Sequence, residues 1–162
     1  MQEFTSANTS INSTKAPAVY GNKVAQNIFR NKRVIDMGGG KYDTGIKAGE
    51  KVGAVVKIYD PYNRSETHNK AVLNGSYDVA IISNVLNVIK ESDARAELLK
   101  LASQKANTIL VTVYAGNGSG IGKQSKVDCW QENRKLDSYM AEIKQATGYK
   151  VEKRGSVLVA TK

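Results

Sequence analysis

Four short apolar runs separated by helical or polar stretches constrain this chain more than any other feature. They are "RVIDM" at 33–37, "AVVKIYD" at 54–60, "VAII" at 79–82 and "TILVTVY" at 108–114. Each reads as a buried strand. The segment "TGIKAGEKVG" after the first run reads as a short helix, and Pro61 ends the second run by holding Asp60 extended. "ESDARAELLKLASQK" reads as an amphipathic helix with Leu98, Leu101 and Ala102 on its inner face. Ahead of the first run, "PAVYGNKVAQNIF" places Val19, Tyr20, Val24, Ile28 and Phe29 near helical spacing, with Pro17 at the first turn. "NRKLDSYMAEIKQATG" reads as a helix ending near Gly148, and "YKVEKRGSVLVATK" as a hairpin turning at Arg154-Gly155. Strands alternating with helices predict one α/β domain over residues 1–162, its sheet mostly parallel with an antiparallel C-terminal edge. Residues 1–15, polar and without period, read as a mobile or extended lead-in.

Composition narrows the class. The chain has 162 residues, 41% of them hydrophobic, enough for a real core. No apolar run approaches the roughly 20 residues of a membrane span. No basic segment followed by an apolar one marks a secretory signal. One cysteine, Cys129, excludes an internal disulfide framework and suits a reducing cytoplasm. The net charge is +9 and the pI near 9.6. Residues 1–94 carry 12 bases and 9 acids, and residues 95–162 carry 12 bases and 6 acids. A balance this basic is the footprint of a nucleic-acid partner, weighed against solubility alone.

The first strand runs into three consecutive glycines, "DMGGGKYD", which let a ligand approach without meeting a Cβ. A phosphate loop requires Gly-Lys-[Ser/Thr] four residues beyond its first glycine, but Tyr42 follows Gly40-Lys41. A dinucleotide fold wants G-x-G-x-x-G, but Asp43 takes the third glycine position and a pyrophosphate sits badly beside Asp36. S-adenosylmethionine carries an ammonium and a sulfonium instead of a phosphate, so Asp36 becomes an attraction. Asp60, twenty residues after Gly40 at the end of the second strand, suits a ribose diol.

With D-x-G-x-G after the first strand, an acid ending the second, and "YDVAIISNVLNVI", the chain resembles class I S-adenosylmethionine-dependent methyltransferases. More narrowly, "DMGGGKYDTG", "YDPYNRSE" and "SNVLNVI" look like small methyltransferase-like proteins of phages and mobile elements. They are also similar to the methyltransferase-like domain associated with DNA phosphorothioation. The resemblance covers nearly the whole chain and implies a Rossmann-like fold with S-adenosylmethionine as cofactor. It puts Asp36, Gly38 and Gly40 along the methionine part, Asp60 at the ribose, Tyr62 near adenine, and Ser83 and Asn84 beside the methyl group, with Gly39 and Pro61 also among the cofactor-binding residues. One departure stands out. Only seventeen residues separate Asp60 from Asp78, too few for the usual helix and third strand, so the sheet is expected to be shortened there. The acid that follows that strand in the family and reads the adenine amino group is not identifiable in this sequence.

The acceptor is less determined. Base-amino methyltransferases carry an Asn or Asp with Pro-Pro and an aromatic after the fourth strand, and this chain has "SNVL" there. "DPYN" at 60–63 mimics that tetrad but follows the second strand. Cys129 lies outside the segment of a cytosine C5 nucleophile and reads as a packing residue, and the lone His68 as a surface residue. No cluster has metal-ligand spacing, so no metal is expected. The loop "YAGNGSGIGKQSKVDCWQENRK" offers Lys123, Lys126, Arg134 and Lys135 to phosphates and Tyr114 and Trp130 to a base. Against this stands a loop with solvated lysines and Trp130 packed beneath it. Asn84, Tyr114 and Asn117 are the candidate catalytic residues. The expectation is a cytoplasmic methyltransferase acting on nucleic acid, DNA favoured. Its rivals are a lyase or hydrolase that consumes S-adenosylmethionine, and a non-catalytic cofactor- or DNA-binding module.

Overall fold

The apolar runs form four neighbouring strands of a six-stranded sheet in a computed structural model that describes residues 1–6 and 14–162. The strands are β1 (Arg33–Met37), β2 (Val55–Tyr59), β3 (Val79–Ser83) and β4 (Thr108–Thr112), followed by β5 (Lys123–Lys126), β6 (Cys129–Gln131), β7 (Lys150–Arg154) and β8 (Val157–Thr161). The sheet order is β2-β1-β3-β4-β8-β7. β1 to β4 run parallel, and β8 is antiparallel to both β4 and β7. The helices are α1 (Lys23–Phe29), α2 (Thr44–Glu50), α3 (Glu66–Leu73), α4 (Ser92–Lys105) and α5 (Met140–Thr147).

Side chains alternate across the sheet with the period of two that a pleated strand imposes. Val34, Val79, Ile81 and Leu110 pack beneath α1 and α2 with Tyr20, Ala25 and Phe29. Ile35, Ala80, Ile82, Ile109 and Val111 face Leu99, Ala102 and Ile143 of α4 and α5. Both faces are covered, which is why the central strands read as continuous apolar runs. The helix after Pro17 is split into a 3-10 turn at Ala18–Gly21 and α1, because Asn22 caps α1 through Oδ1, which accepts from Ala25 N at 3.0 Å. Gly148, in the left-handed conformation with φ 71°, ends α5 as expected.

The shortening after β2 is real. Among the described residues, only α3 lies between β2 and β3, and β2 is a sheet edge. His68 is not a free surface residue: its Nε2 donates to the Ile58 carbonyl at 2.7 Å, satisfying an edge acceptor of β2.

Three expectations are corrected. Residues 1–6 are docked: Phe4 is buried, its ring stacked on Trp130 at 5.5 Å, and the Thr5 and Ser6 backbone amides donate to Asp128 at 2.9 Å. The rest of the lead-in, 7–13, lies outside the described residues. The glycine-rich loop continues into a two-stranded hairpin, β5–β6, invisible to pattern reading because every residue of β5 is exposed. The buried face of α4 is Arg95, Leu99 and Ala102, while Leu98 and Leu101 lie half-buried on its flank. No helix of the described residues is long and apolar enough to cross a membrane.

Candidate functional site

Because β1 to β4 are parallel, Asp36, Asp60, Ser83-Asn84 and Tyr114 all emerge at one edge of the sheet. The glycine turn is built there by contacts that only glycine tolerates. Gly38 has φ 88° and donates its N–H to the Tyr59 carbonyl at 2.7 Å, and a Cβ there would lie 2.6 Å from Val85 Cγ2. A Cβ on Gly39 would lie 2.9 Å from the Asp36 carboxyl carbon. Arg64 closes the far side: Nε donates to the Gly40 carbonyl at 2.7 Å, one terminal nitrogen to the Tyr42 carbonyl and the other to Asp43, both at 2.9 Å.

The two acids are buried and differently held. Asp36 is 2% exposed and accepts from the Tyr20 hydroxyl at 2.6 Å. Burial pushes its carboxyl up to about 6 despite the Tyr20 hydrogen bond, which pulls it down; Asp60 pushes it up and Arg64 down. The Tyr20 hydroxyl is itself raised well above its ordinary value, first by burial and then by Asp36. Asp60 is 4% exposed and organises its own loop. Its Oδ1 accepts from Tyr62 N and Asn63 N at 3.0 Å, and Oδ2 from Gly40 N at 2.9 Å and Asn63 Nδ2 at 3.1 Å. Asn69 fixes the Asp60 backbone from α3, accepting from its N–H at 3.0 Å and donating to its carbonyl at 2.9 Å.

Two cavities meet at Gly38, Asn84 and Val88. The smaller, about 380 Å³, is lined by Asp60, Pro61 and Tyr62 and runs along α4. The larger, about 570 Å³, is lined by Asp36, Gly39, Ser83, Tyr114, Lys126 and Trp130. Asn84 stands at their junction with φ 56°, its N–H bonded to the Thr112 carbonyl at 2.9 Å. Left-handed backbone in a non-glycine residue is a strained feature of the kind that gathers at functional sites.

Most sequence-predicted residues converge on these cavities, and four do not serve as expected. Gly40 lies behind the turn, buried, with its N–H on Asp60. Asn117 is exposed and lines neither cavity; its Oδ1 accepts from Ser119 N, closing a turn of the glycine-rich loop. Trp130 lines the larger cavity but is held in the packing of the hairpin against Phe4, with Lys90 Nζ 5.1 Å from its ring centroid. Arg134 bonds Ser138 and Glu142 and lies 4.0 Å over the Tyr139 ring, so it braces the start of α5 rather than meeting a phosphate. Lys123, Lys126 and Lys135 are exposed. Cys129 is buried beside the larger cavity, as a packing residue.

Pattern reading missed Tyr20, Arg64 and Asn69. Tyr20 was counted as core by its helical spacing, and its hydroxyl partner follows sixteen residues later. Arg64 and Asn69 sit in the polar stretch "YNRSETHN", whose only signal is its density of hydrogen-bonding side chains directly after an acid. Among the described residues no group of three His, Cys, Asp or Glu side chains is placed to hold a metal.

No protein-family model and no curated protein matches the sequence. Solved structures do. The magnesium protoporphyrin IX methyltransferase of Synechocystis PCC 6803, with bound S-adenosylmethionine, aligns over 90% of this chain and 76% of its own, with 15% identity and a TM-score of 0.56. The 1,6-didemethyltoxoflavin-N1-methyltransferase of Burkholderia thailandensis, with 1,6-didemethyltoxoflavin and S-adenosylhomocysteine bound, aligns over 90% and 78%, with 15% identity and a TM-score of 0.64. The CcbJ methyltransferase of Streptomyces caelestis aligns over 92% and 90%, with 9% identity and a TM-score of 0.61. At these identities the likeness establishes the fold: a Rossmann-like class I methyltransferase fold, with a mostly parallel sheet and antiparallel strands at its C-terminal side.

Proposed function

We propose that this chain is an S-adenosylmethionine-dependent methyltransferase acting on nucleic acid, DNA first, with the acceptor entering beneath the β5–β6 hairpin. The observation that carries the reading is the pair of buried carboxylates, Asp36 and Asp60, on either side of the glycine turn where two cavities meet. S-adenosylmethionine, when bound, supplies a methyl group on a sulfonium, which needs chiefly a nucleophile held in line.

The residues present suit that ligand. Asp36 is a buried anion on the wall of the larger cavity and attracts an ammonium group. Gly38 and Gly39 leave bare backbone beside it. Ser83 and Asn84 border the position between the cavities. Asp60 suits a ribose less directly, because its roughly four acceptor positions are already met by protein donors. A diol reaches it only by displacing the Asn63 side-chain amide, the one donor of the four that is not backbone. Pro61 and Tyr62 wall the smaller cavity on the adenosine side. Asn84 and Tyr114 position the acceptor: Tyr114 is 65% exposed and lines the larger cavity together with the glycine turn.

Support for nucleic acid is the net charge of +9 together with Lys123 and Lys126, both exposed on β5, and Lys126 lining the larger cavity. A small-molecule acceptor is the second reading, favoured by a cavity of about 570 Å³, which is within the range of small-ligand sites. Incubating the purified protein with S-adenosylmethionine, with and without DNA, and analysing the products by mass spectrometry separates the readings. S-adenosylhomocysteine formed only with DNA supports the proposal. Methylthioadenosine formed without DNA replaces it with a lyase. Intact cofactor in both tubes removes DNA as the acceptor.

A further inference from the structure

The flank of α4 carries a second apolar stripe, set beside the core and facing the smaller cavity that Gln2, Thr5 and Ser6 also line. Arg95, Leu99 and Ala102 are buried in the core, but Ala94, Leu98 and Leu101, at helical spacing beside them, are half-buried and line the smaller cavity. Val88 and Ile89 continue this lining from the preceding turn, and Tyr59 closes it from β2. The result is an apolar slot that opens beside Asp60 and Tyr62, on the side of the cleft away from Asp36. An apolar slot with a few placed polar groups is the usual form of a small-ligand subsite.

The polar groups come from the same helix. Asp93 and Glu97 line the cavity one turn apart, on the row that continues to Leu101. They are not equivalent. Asp93 Oδ1 accepts from Ala94 N at 2.9 Å, within the first turn of α4. The Glu97 carboxylate makes no hydrogen bond and no ion pair among the described residues. It is therefore an available acceptor at the edge of an apolar slot, and it suits a ligand with an apolar body and an amino donor on its rim.

We infer that Glu97 reads the exocyclic amino group of the cofactor's adenine, with Ala94, Leu98 and Leu101 as the wall against which the base lies. This rests on the cofactor reading above and assigns the base recognition that the shortened sheet leaves without a residue. The role moves from the missing strand to α4, the helix that borders the space between the end of β2 and the turn after β3. An oxygen in place of the amino group sets two acceptors against each other, so the site discriminates against a deaminated base.

The test is calorimetric titration of the whole protein with S-adenosylhomocysteine and with S-inosylhomocysteine, in which a carbonyl replaces the amino group. The wild type is expected to prefer the adenosyl compound by roughly tenfold or more, the scale of one charge-assisted hydrogen bond. Glu97→Gln can turn either its carbonyl or its amine to the base, so its preference is expected to collapse to about threefold or less. Ala94→Leu, which fills the slot, is expected to weaken both compounds at unchanged melting temperature. A preference retained in Glu97→Gln, or no preference in the wild type, overturns the assignment while leaving the cofactor reading intact. No binding of S-adenosylhomocysteine by the wild type overturns both.

Discussion

At Asp36 a hydroxyl and a low-dielectric setting act in opposite directions. Burial raises the carboxyl to about 6, while the Tyr20 hydroxyl, 2.6 Å away, stabilises the charged form. An acid raised in the folded state is a stability liability: the fold weakens as pH rises from the unfolded value of about 4 through 6, because the native chain holds a proton the unfolded chain has released. A cation bound at the larger cavity reverses this locally, since only ionised Asp36 attracts it. Affinity for S-adenosylmethionine is therefore expected to rise as pH increases through 6, with proton release on binding near that pH, measured by calorimetry in buffers of different ionisation enthalpy. Tyr20→Phe removes the donor that lowers Asp36, so the midpoint of that rise is expected to move above 6. A midpoint that stays in place would separate Tyr20 from the electrostatics of the site. Both acids and the glycines were legible in the sequence because their signal is local, an acid at a strand end before residues that must turn. Trp130 and Arg134 were misread because what occupies them is distant or on another element: Phe4 and Lys90 for the first, Glu142 and Tyr139 for the second.

Among the elements, the N-terminal strap and the β5–β6 hairpin hold each other. Asp128, at the hairpin turn with φ 61°, receives the Thr5 N–H and hydroxyl on its carboxylate and the Ser6 N–H on its carbonyl. Lys90 pairs with Glu3 at 2.6 Å and lies over both the Phe4 and Trp130 rings. Gln2, Thr5 and Ser6 thereby roof the smaller cavity, and the hairpin borders the larger one. Phe4→Ala is expected to raise hydrogen exchange in residues 1–6 and 128–131 while the sheet stays protected, because Phe4 is the buried apolar anchor of the strap and contacts such as Glu3 with Lys90 and Glu91 are exposed polar ones. Uniform loss of protection would mean the strap belongs to the global folding unit. The opposite behaviour is expected of Arg95, whose guanidinium bonds Glu142 at 2.6 Å, Glu132 at 2.9 Å and the Ile89 carbonyl at 2.7 Å, with a side chain 6% exposed. Arg95→Met strands the largely buried Glu132 carboxylate and leaves Glu142 with Arg134 alone, and is expected to cost about 3 kcal/mol of unfolding free energy in urea titration. Of the four parallel strands, β1, β3 and β4 were legible because both of their faces are apolar, and β2 because its Val56 and Ile58 alternate with exposed residues. The strap was not, since Phe4 is one aromatic in a polar run and its partner lies 126 residues away, and β5 was not, since neither of its faces is buried.

Over the whole molecule, the open sheet edge and the net positive charge are the two features that bear on association. β2 is an open edge with Val55 47% exposed, and it is blunted by the exposed Lys57 and by His68 on the Ile58 carbonyl, devices that discourage edge-to-edge pairing. The charge is a different matter, because a net +9 does not say which face a polyanion uses. Arg134 is engaged within the protein, as is Lys153, which pairs with Asp137 at 2.7 Å. Lys123 and Lys126 form no ion pair among the described residues, and they stand on a strand exposed along its whole length at the border of the larger cavity. If DNA is the acceptor, each lysine that meets a phosphate contributes about 0.9 to the slope of log affinity against log salt concentration. Replacing Lys123 and Lys126 together with Ala is expected to flatten that slope by nearly 2 and to weaken binding uniformly across sequences, as measured by fluorescence anisotropy over a salt series. Arg134→Ala is expected to leave the slope unchanged and to lower thermal stability instead. An unchanged slope in the lysine double variant would take the hairpin off the DNA-facing surface and leave the larger cavity, and with it a small acceptor, as the better account of what the site receives.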